Sequence, residues 1–493
     1  MNKLKYIFLS LALLCFLQLT AKDYKASMFG IKSNGTTLNT NSIQKAINYI
    51  NENGGGRLLF YVGRYLTGTI QLKSNVTIQL DEGAVLVGST NIYDYNINNP
   101  YTALIYAEKE QNIGITGKGV IDGQGRDVAY NLIDQIHNGI IKDELKNDRP
   151  ATRRPRGIYL RECKNVEITG IMIKNAADWV QVYDQCQNLK IDRITVDSKA
   201  FWNNDGLDIV DCKDVKVTNS FIDATDDGIC FKSHNAKSMC ENVEVRNCVV
   251  RSSANGIKFG TVSSGGYKNF KIINNKVYDT FRSAITIATP DGGMIDNILV
   301  DSLNAYNTGN VMYLRIGARW NKGRNGSINN VTIQNVYAEV SDGKPDAGYE
   351  YEGPIEDLPR NISPSSIVGL PGQDITNVTL RNIKIILPGG GNPNYAYRGL
   401  KPAELDSISE MASAYPEFSQ FKELPAWGFY IRHAKNITFE NVKLTAKARD
   451  YRPAIVLDDV KDLSFKGMKY IEPGGSKKQL HVYKSTGIVQ NKK

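Results

Sequence analysis

The sequence predicts an all-β chain wound as one single-stranded, right-handed parallel β-helix, and three observations carry that expectation. A short phrase recurs along the chain, its spacing stays in the mid-twenties, and 493 residues exceed what one globular core usually encloses. A solenoid escapes the size limit because each coil needs to contact only its neighbours. The phrase reads NVTIQL at Asn75, NVEITG at Asn165, NLKIDR at Asn188, DVKVTN at Asp214 and NVEVRN at Asn242. It returns as NFKIIN at Asn269, NILVDS at Asn297, NVTIQN at Asn330, NVTLRN at Asn377 and NITFEN at Asn436. Each copy alternates apolar and polar residues with β-branched side chains, the pattern of a strand with one buried face. The opening Asn or Asp suits a turn residue that tolerates unusual backbone angles. From Asn165 to Asn297 the steps are 23, 26, 28, 27 and 28 residues. Leucine-rich or helical repeats would show Leu spacing or a 3.6-residue period, and neither is present.

The elements follow in order. MNKLK is basic, and YIFLSLALLCFLQL is an apolar run that ends in Thr20 and Ala21, so residues 1–21 read as a signal peptide cut after Ala21. Leu14 stands where a lipoprotein signal would want a small residue before Cys15. The expected destination is the periplasm or the medium. Residues 22–493 are expected to form one β-helical domain. Residues 40–55, TNSIQKAINYINENGG, carry apolar residues at helical spacing and run into a glycine cluster, which predicts a helix capping the N-terminal end. Residues 128–148 and 403–425 read as partly helical insertions flanking a cleft. After Asn297 the steps lengthen to 33, 47 and 59 residues, which places long loops there.

Charge says little: 60 Lys and Arg against 51 Asp and Glu fit an anionic polymer or an ordinary soluble surface. Cys163, Cys186 and Cys212 recur near the coil period and predict a stacked column inside the solenoid, while Cys240 with Cys248 is the pair expected to bridge. Four scattered histidines and no CxxC argue against a zinc site, and no cofactor or metal is expected.

The chemistry lies between Asn203 and Lys232, in NNDGLDIVDCKDVKVTNSFIDATDDGICFK. Asp205 precedes Asp226 by 21 residues, about one coil, so Asp205, Asp226 and Asp227 converge in space. Either Asp-Gly sequence alone could shape a turn. Three converging carboxylates are instead what glycosidic-bond hydrolysis needs, and they cannot all ionise cheaply. Asp208 and Asp211 read as surface or supporting groups.

SIQKAINYINENGGG, YLTGTIQLKSNVTIQLDEGAVLVGS, GKGVIDGQG, NNDG and TDDGICFKS together resemble glycoside hydrolase family 28, the polygalacturonases and rhamnogalacturonases, from about Phe29 to the final repeats. The resemblance implies a pectate-lyase-like solenoid and an inverting attack on the pectin backbone without a cofactor. Asp226 would be the general acid, and Asp205 and Asp227 would position and deprotonate the attacking water. Polygalacturonases carry Gly-His-Gly about one coil further on, where SSANGIKFGT puts Asn255 in place of the histidine. Their Arg-Ile-Lys matches SAITIAT, with Thr286 and Ala288 at the cationic positions. The rhamnogalacturonase branch also lacks the histidine.

Charge for a substrate carboxylate could return through Lys258 and Arg315, which alternation points outward, or through Arg282. With Asn255 these are the candidate substrate-binding residues. Arg319 and Trp320 are weaker candidates, and Trp320 or Tyr313 offers a flat surface to a sugar ring. The expected function is pectic glycoside hydrolysis, with exo action favoured by the long insertion. The alternatives are a pectate-type lyase, with Lys258 or Arg315 pressed into service as base, and a non-catalytic carbohydrate-binding β-helix. The expected partner is a polysaccharide or oligosaccharide, with no nucleic acid, no membrane span and a monomeric state.

Overall fold

The computed structural model describes residues 22–343, 348–351, 360–395, 398–474 and 478–491. The expected signal peptide lies outside them. Among the described residues no helix is long and apolar enough to cross a membrane.

The chain forms a right-handed parallel β-helix, and one coil shows how the repeat builds it. Lys164–Thr169, Met172–Lys174 and Gln181–Asp184 are its three strands. Each pairs in parallel with its counterpart one coil on: Gln187–Asp192, Thr195–Ser198 and Leu207–Val210. The next coil supplies Lys213–Thr218, Phe221–Ala224 and Ile229–Ser233. Cys240–Arg246, Val249–Ser252 and Ile257–Ser263 follow. Beyond them Gly266–Thr289 and Met294–Ile316 are continuous ribbons that turn the corners unbroken.

Register stacks like on like. Val166, Leu189, Val215, Val243 and Phe270 lie directly above one another on the inner face, all buried. Each such side chain contributes about 1.5–3 kcal/mol by leaving water, so the core is a set of columns rather than a single cluster. The Asn or Asp that opens each phrase sits at the corner before it with a left-handed backbone, φ 54° at Asn165 and 59° at Asn269. Where it is Asn, its side-chain amide donates back to the coil before, as Asn188 does to Asn165 at 2.8 Å and Asn297 to Asn269 at 2.8 Å.

Cys163, Cys186 and Cys212 stack inside as expected, with the Cys186 backbone N–H donating to Cys212 Sγ at 3.2 Å. The expected bridge is corrected: Cys240 and Cys248 are free and buried. Cys240 opens the strand Cys240–Arg246 and Cys248 lies just past its end, so at about 3.3 Å per extended residue they stand several times too far apart to bond.

The capping helix runs Thr40–Glu52 and buries Ile43, Ala46, Ile47 and Ile50 against the first coils. The first insertion contains the helix Gly125–His137. The second has only the short helix Pro402–Asp406 and a 3-10 turn Phe418–Phe421, and it packs on the outer face of the late coils through Leu405, Ile408, Phe418 and Phe421.

Candidate active site

Three successive turns, each entering a strand of one sheet, carry the acids. Asp205 precedes Leu207–Val210, Asp226 and Asp227 precede Ile229–Ser233, and Asn255 precedes Ile257–Ser263. Register places Asp205 beneath Asp227 and Asp227 beneath Asn255, because Leu207 pairs with Ile229 and Ile229 with Ile257. The glycines that follow them stack for a packing reason. A Cβ on Gly206 would come within 2.3 Å of Ile222, on Gly228 within 2.3 Å of Val250, and on Gly256 within 2.4 Å of Val277. Asn204 staples the first turn, donating to the carbonyls of Ala176 at 3.0 Å and Asp178 at 2.9 Å.

The three acids differ in their surroundings. Asp226 is the most open, its side chain 13 % exposed, with Arg282 Nη1 3.9 Å away. Asp205 and Asp227 are buried. Lys232 Nζ donates to Asp205 Oδ2 at 3.0 Å and lies 3.0 Å from Asp208 Oδ1 as an ion pair without hydrogen-bond alignment. Lys258 Nζ donates to Asp227 Oδ2 at 2.7 Å, and Asn255 Nδ2 donates to Asp227 Oδ1 at 2.8 Å. Burial lifts the Asp205 carboxyl well above the usual range despite Lys232. Burial acts on Asp227 too, but the charges of Lys258 and Arg282 outweigh it and hold the group down at about 2. Asp208, pushed up by burial against the pull of Lys232, reaches about 6.

The expected substrate-binding residues separate into two groups. Asn255, Lys258 and Arg282 belong to the acidic cluster. Arg282 Nη1 lies 2.9 Å from Glu417 as well as near Asp226. Lys258 does leave the strand on its outer face, yet it is fully buried, because the second insertion lays Tyr415 over it at 2.8 Å. Arg315 stands apart, aligned with Ala288 rather than Lys258. It is covered, bonding the carbonyls of Gly369 at 3.1 Å and Glu410 and lying against Phe421. Tyr313, offered as a flat sugar surface, is buried beneath Phe421, whereas Trp320 is open with Arg319 stacked 3.6 Å from its ring. The surface reading of Asp208 and Asp211 is corrected. Asp208 is fully buried in the cluster, and Asp211 is a turn anchor that accepts from Ser233, His234 and Asn235.

Sequence reasoning passed over Lys232, Trp179, Tyr415 and Glu417. Lys232 was readable, since Ile229 and Phe231 point inward and alternation turns Lys232 out. Trp179 lies under it, with Nζ 4.5 Å from the ring. Tyr415 and Glu417 arrive from more than 130 residues away on an insertion with no period. Asp205, Asp227 and Cys230 bring ligand atoms within 4.8 Å of one another. Their negative charge is already answered by Lys232 and Lys258, so the cluster fits ammonium groups better than a metal ion. Chemically, the arrangement can donate a proton from an open carboxyl beside two buried carboxylates that face a common space.

The sequence model of the glycosyl hydrolases family 28 matches residues 60–293, which contain all three acids. An exo-poly-alpha-D-galacturonosidase from Dickeya chrysanthemi is 25 % identical over 74 % of this chain and 71 % of its own length. An endo-polygalacturonase from Pectobacterium carotovorum subsp. carotovorum is 24 % identical over 48 % of this chain and 61 % of its own. Among solved structures, a hyperthermoactive exopolygalacturonase from Thermotoga maritima superposes with a TM-score of 0.61. It is 21 % identical and covers 86 % of this chain and 91 % of that one.

Proposed function

The chain belongs to the glycosyl hydrolases of family 28, and from that premise we propose that it cleaves pectic polysaccharide or oligosaccharide by an inverting, single-displacement hydrolysis. One observation carries the reading: of three carboxylates gathered on adjacent turns, one is open and two are buried beside lysines. Asp226, the open one, donates a proton to the leaving oxygen. Asp205 and Asp227 hold the attacking water on the opposite face of the sugar. The anomeric carbon inverts because water attacks as the bond to the leaving oxygen breaks, which requires about 6.5–9.5 Å between acid and base.

Aromatic faces flank the acids, with Trp179 on the N-terminal side and Tyr415 on the C-terminal side, and these suit stacking on sugar rings. The two insertions border the same cleft, which supports action from a chain end, as in the exo-acting relatives. A lyase reading loses support. Lys258 is tied to Asp227 as an ammonium and Arg315 is enclosed, so neither is free to abstract a proton. Export through the basic and apolar leader, cut after Ala21, belongs to the same proposal, and the mass of the secreted N-terminus tests it.

Asp226→Asn should abolish release of reducing sugar from a panel of pectic oligosaccharides while the fold persists by circular dichroism. Full activity in that variant, or products absorbing in the ultraviolet as unsaturated uronates do, would refute the hydrolase reading.

A further inference from the structure

Asp205 and Asp227 share the water in the reading above, but their hydrogen bonds are unequal. Asp227 has both oxygens engaged. Oδ1 accepts from the Asn255 backbone N–H at 3.1 Å and from Asn255 Nδ2 at 2.8 Å, and Oδ2 accepts from Lys258 at 2.7 Å. The donors are themselves held. Thr286 Oγ1 donates to Asn255 Oδ1 at 2.8 Å, and Lys258 donates to the Tyr415 hydroxyl at 2.8 Å. Asp205 accepts from Lys232 on Oδ2 alone, and its Oδ1 accepts no hydrogen bond among the described residues.

A carboxylate gripped by three donors still has a lone pair for a proton, but protonation weakens every one of those charge-assisted bonds. One with a free oxygen can take it at less loss. Resting on the hydrolase reading, we propose that Asp205 alone is the general base. Asp227 stays ionised through the cycle and only orients the water, with Asn255, Lys258 and Thr286 as its positioning residues. The step balances. Water oxygen bonds to the anomeric carbon as the glycosidic bond breaks, and the leaving oxygen takes the Asp226 proton. Water's surplus proton passes to Asp205, and exchange with solvent restores both acids. The clamp also gives a use to Asn255 and Thr286, which stand where polygalacturonases carry the histidine and a cation.

The charged and titratable neighbours agree with this division. Asp208 comes from the strand after Asp205, and Cys230 and Lys232 from the strand after Asp227. Lys258 lies one coil on, Arg282 two coils on, and Tyr415 and Glu417 on the insertion. Among them, burial keeps the Asp205 carboxyl high while Lys258 and Arg282 keep Asp227 low. Of the two, Asp205 therefore has the greater affinity for a proton, as an acceptor requires.

Asp205→Ala and Asp227→Ala, assayed with and without sodium azide, separate the two roles, because azide attacks without a proton to give up. Azide should restore the Asp205→Ala rate by about tenfold or more and leave Asp227→Ala unmoved. Restoration of Asp227→Ala instead, or none for Asp205→Ala, overturns the assignment. In the substrate-free enzyme, carbon-13 NMR of labelled aspartates should show Asp227 titrating higher in Lys258→Met, by about one pH unit or more, and less so in Asn255→Ala. The acid limb of kcat/KM, which reports the base Asp205, should move far less than Asp227 does, with KM nearly unchanged. An unshifted Asp227 in both variants sinks the clamp, while failure of the wild type on every pectic oligosaccharide counts only against the hydrolase reading.

Discussion

Arg282 and Glu417 form a nearly enclosed ion pair, 2.9 Å apart, that joins the catalytic coil to the second insertion. Removing one partner of such a pair strands a buried charge, at a cost of about 3–5 kcal/mol, whereas removing both with apolar replacements often costs little. Arg282→Met and Glu417→Met should therefore each destabilise the fold strongly, and the double variant should recover much of the loss in a denaturant double-mutant cycle. Simple additivity of the two losses would show that the pair carries no coupling. Asp227 makes a second prediction at this scale. Its folded value of about 2 lies below the ordinary 3.8, so its stabilisation is present above about pH 4 and lost as pH falls towards 2, amounting to about 2 kcal/mol. Asp227→Asn should flatten the acid edge of the stability curve by about that amount, read from urea midpoints between pH 2 and pH 5.

The second insertion has a latch of its own at the level of the element. His433 is buried with Nδ1 2.8 Å from Asp459 and Nε2 3.0 Å from Glu410 of the insertion, and Arg432 holds the same Glu410 at 2.7 Å. Burial opposes charge on the imidazole, but the hydrogen bonds to Glu410 and Asp459 win and raise its pKa. A raised folded value gives stability that is complete below the unfolded pKa of about 6.5 and is lost as pH rises through the folded value. Hydrogen exchange in residues 408–421, corrected for its intrinsic pH dependence, should thus quicken above neutrality, and His433→Ala should remove that dependence. The insertion is also where sequence reading stopped. Alternation correctly sent Lys258 and Arg315 to the outer face, because side-chain direction on a strand is local. Whether an outward residue meets solvent depends on what folds over it, and here that cover comes from an aperiodic segment in a later coil.

Across the whole molecule the solenoid itself was legible, because every coil repeats the same local instruction: a left-handed Asn or Asp, then an alternating strand. The clustering of Asp205 with Asp226 and Asp227 was legible for the same reason, since spacing along the chain becomes stacking in space. A stack of this kind couples each coil mainly to its neighbours, so damage should stay near where it is made. Phe465 belongs to a late column and packs on Phe439 with ring centroids 5.2 Å apart, many coils from Asp205. Phe465→Ala should cost about 3–5 kcal/mol locally, yet fray the last coils first and leave kcat at 25 °C unchanged. Phe259 lies in the column beneath Lys258, with Phe231 5.1 Å and Phe270 4.9 Å away. Phe259→Ala should lower kcat together with stability, because the strand it anchors also carries the clamp on Asp227. Hydrogen exchange resolved by coil, read beside the rates of both variants, decides the matter: equal loss of kcat in the two would mean that the β-helix unfolds as one cooperative body.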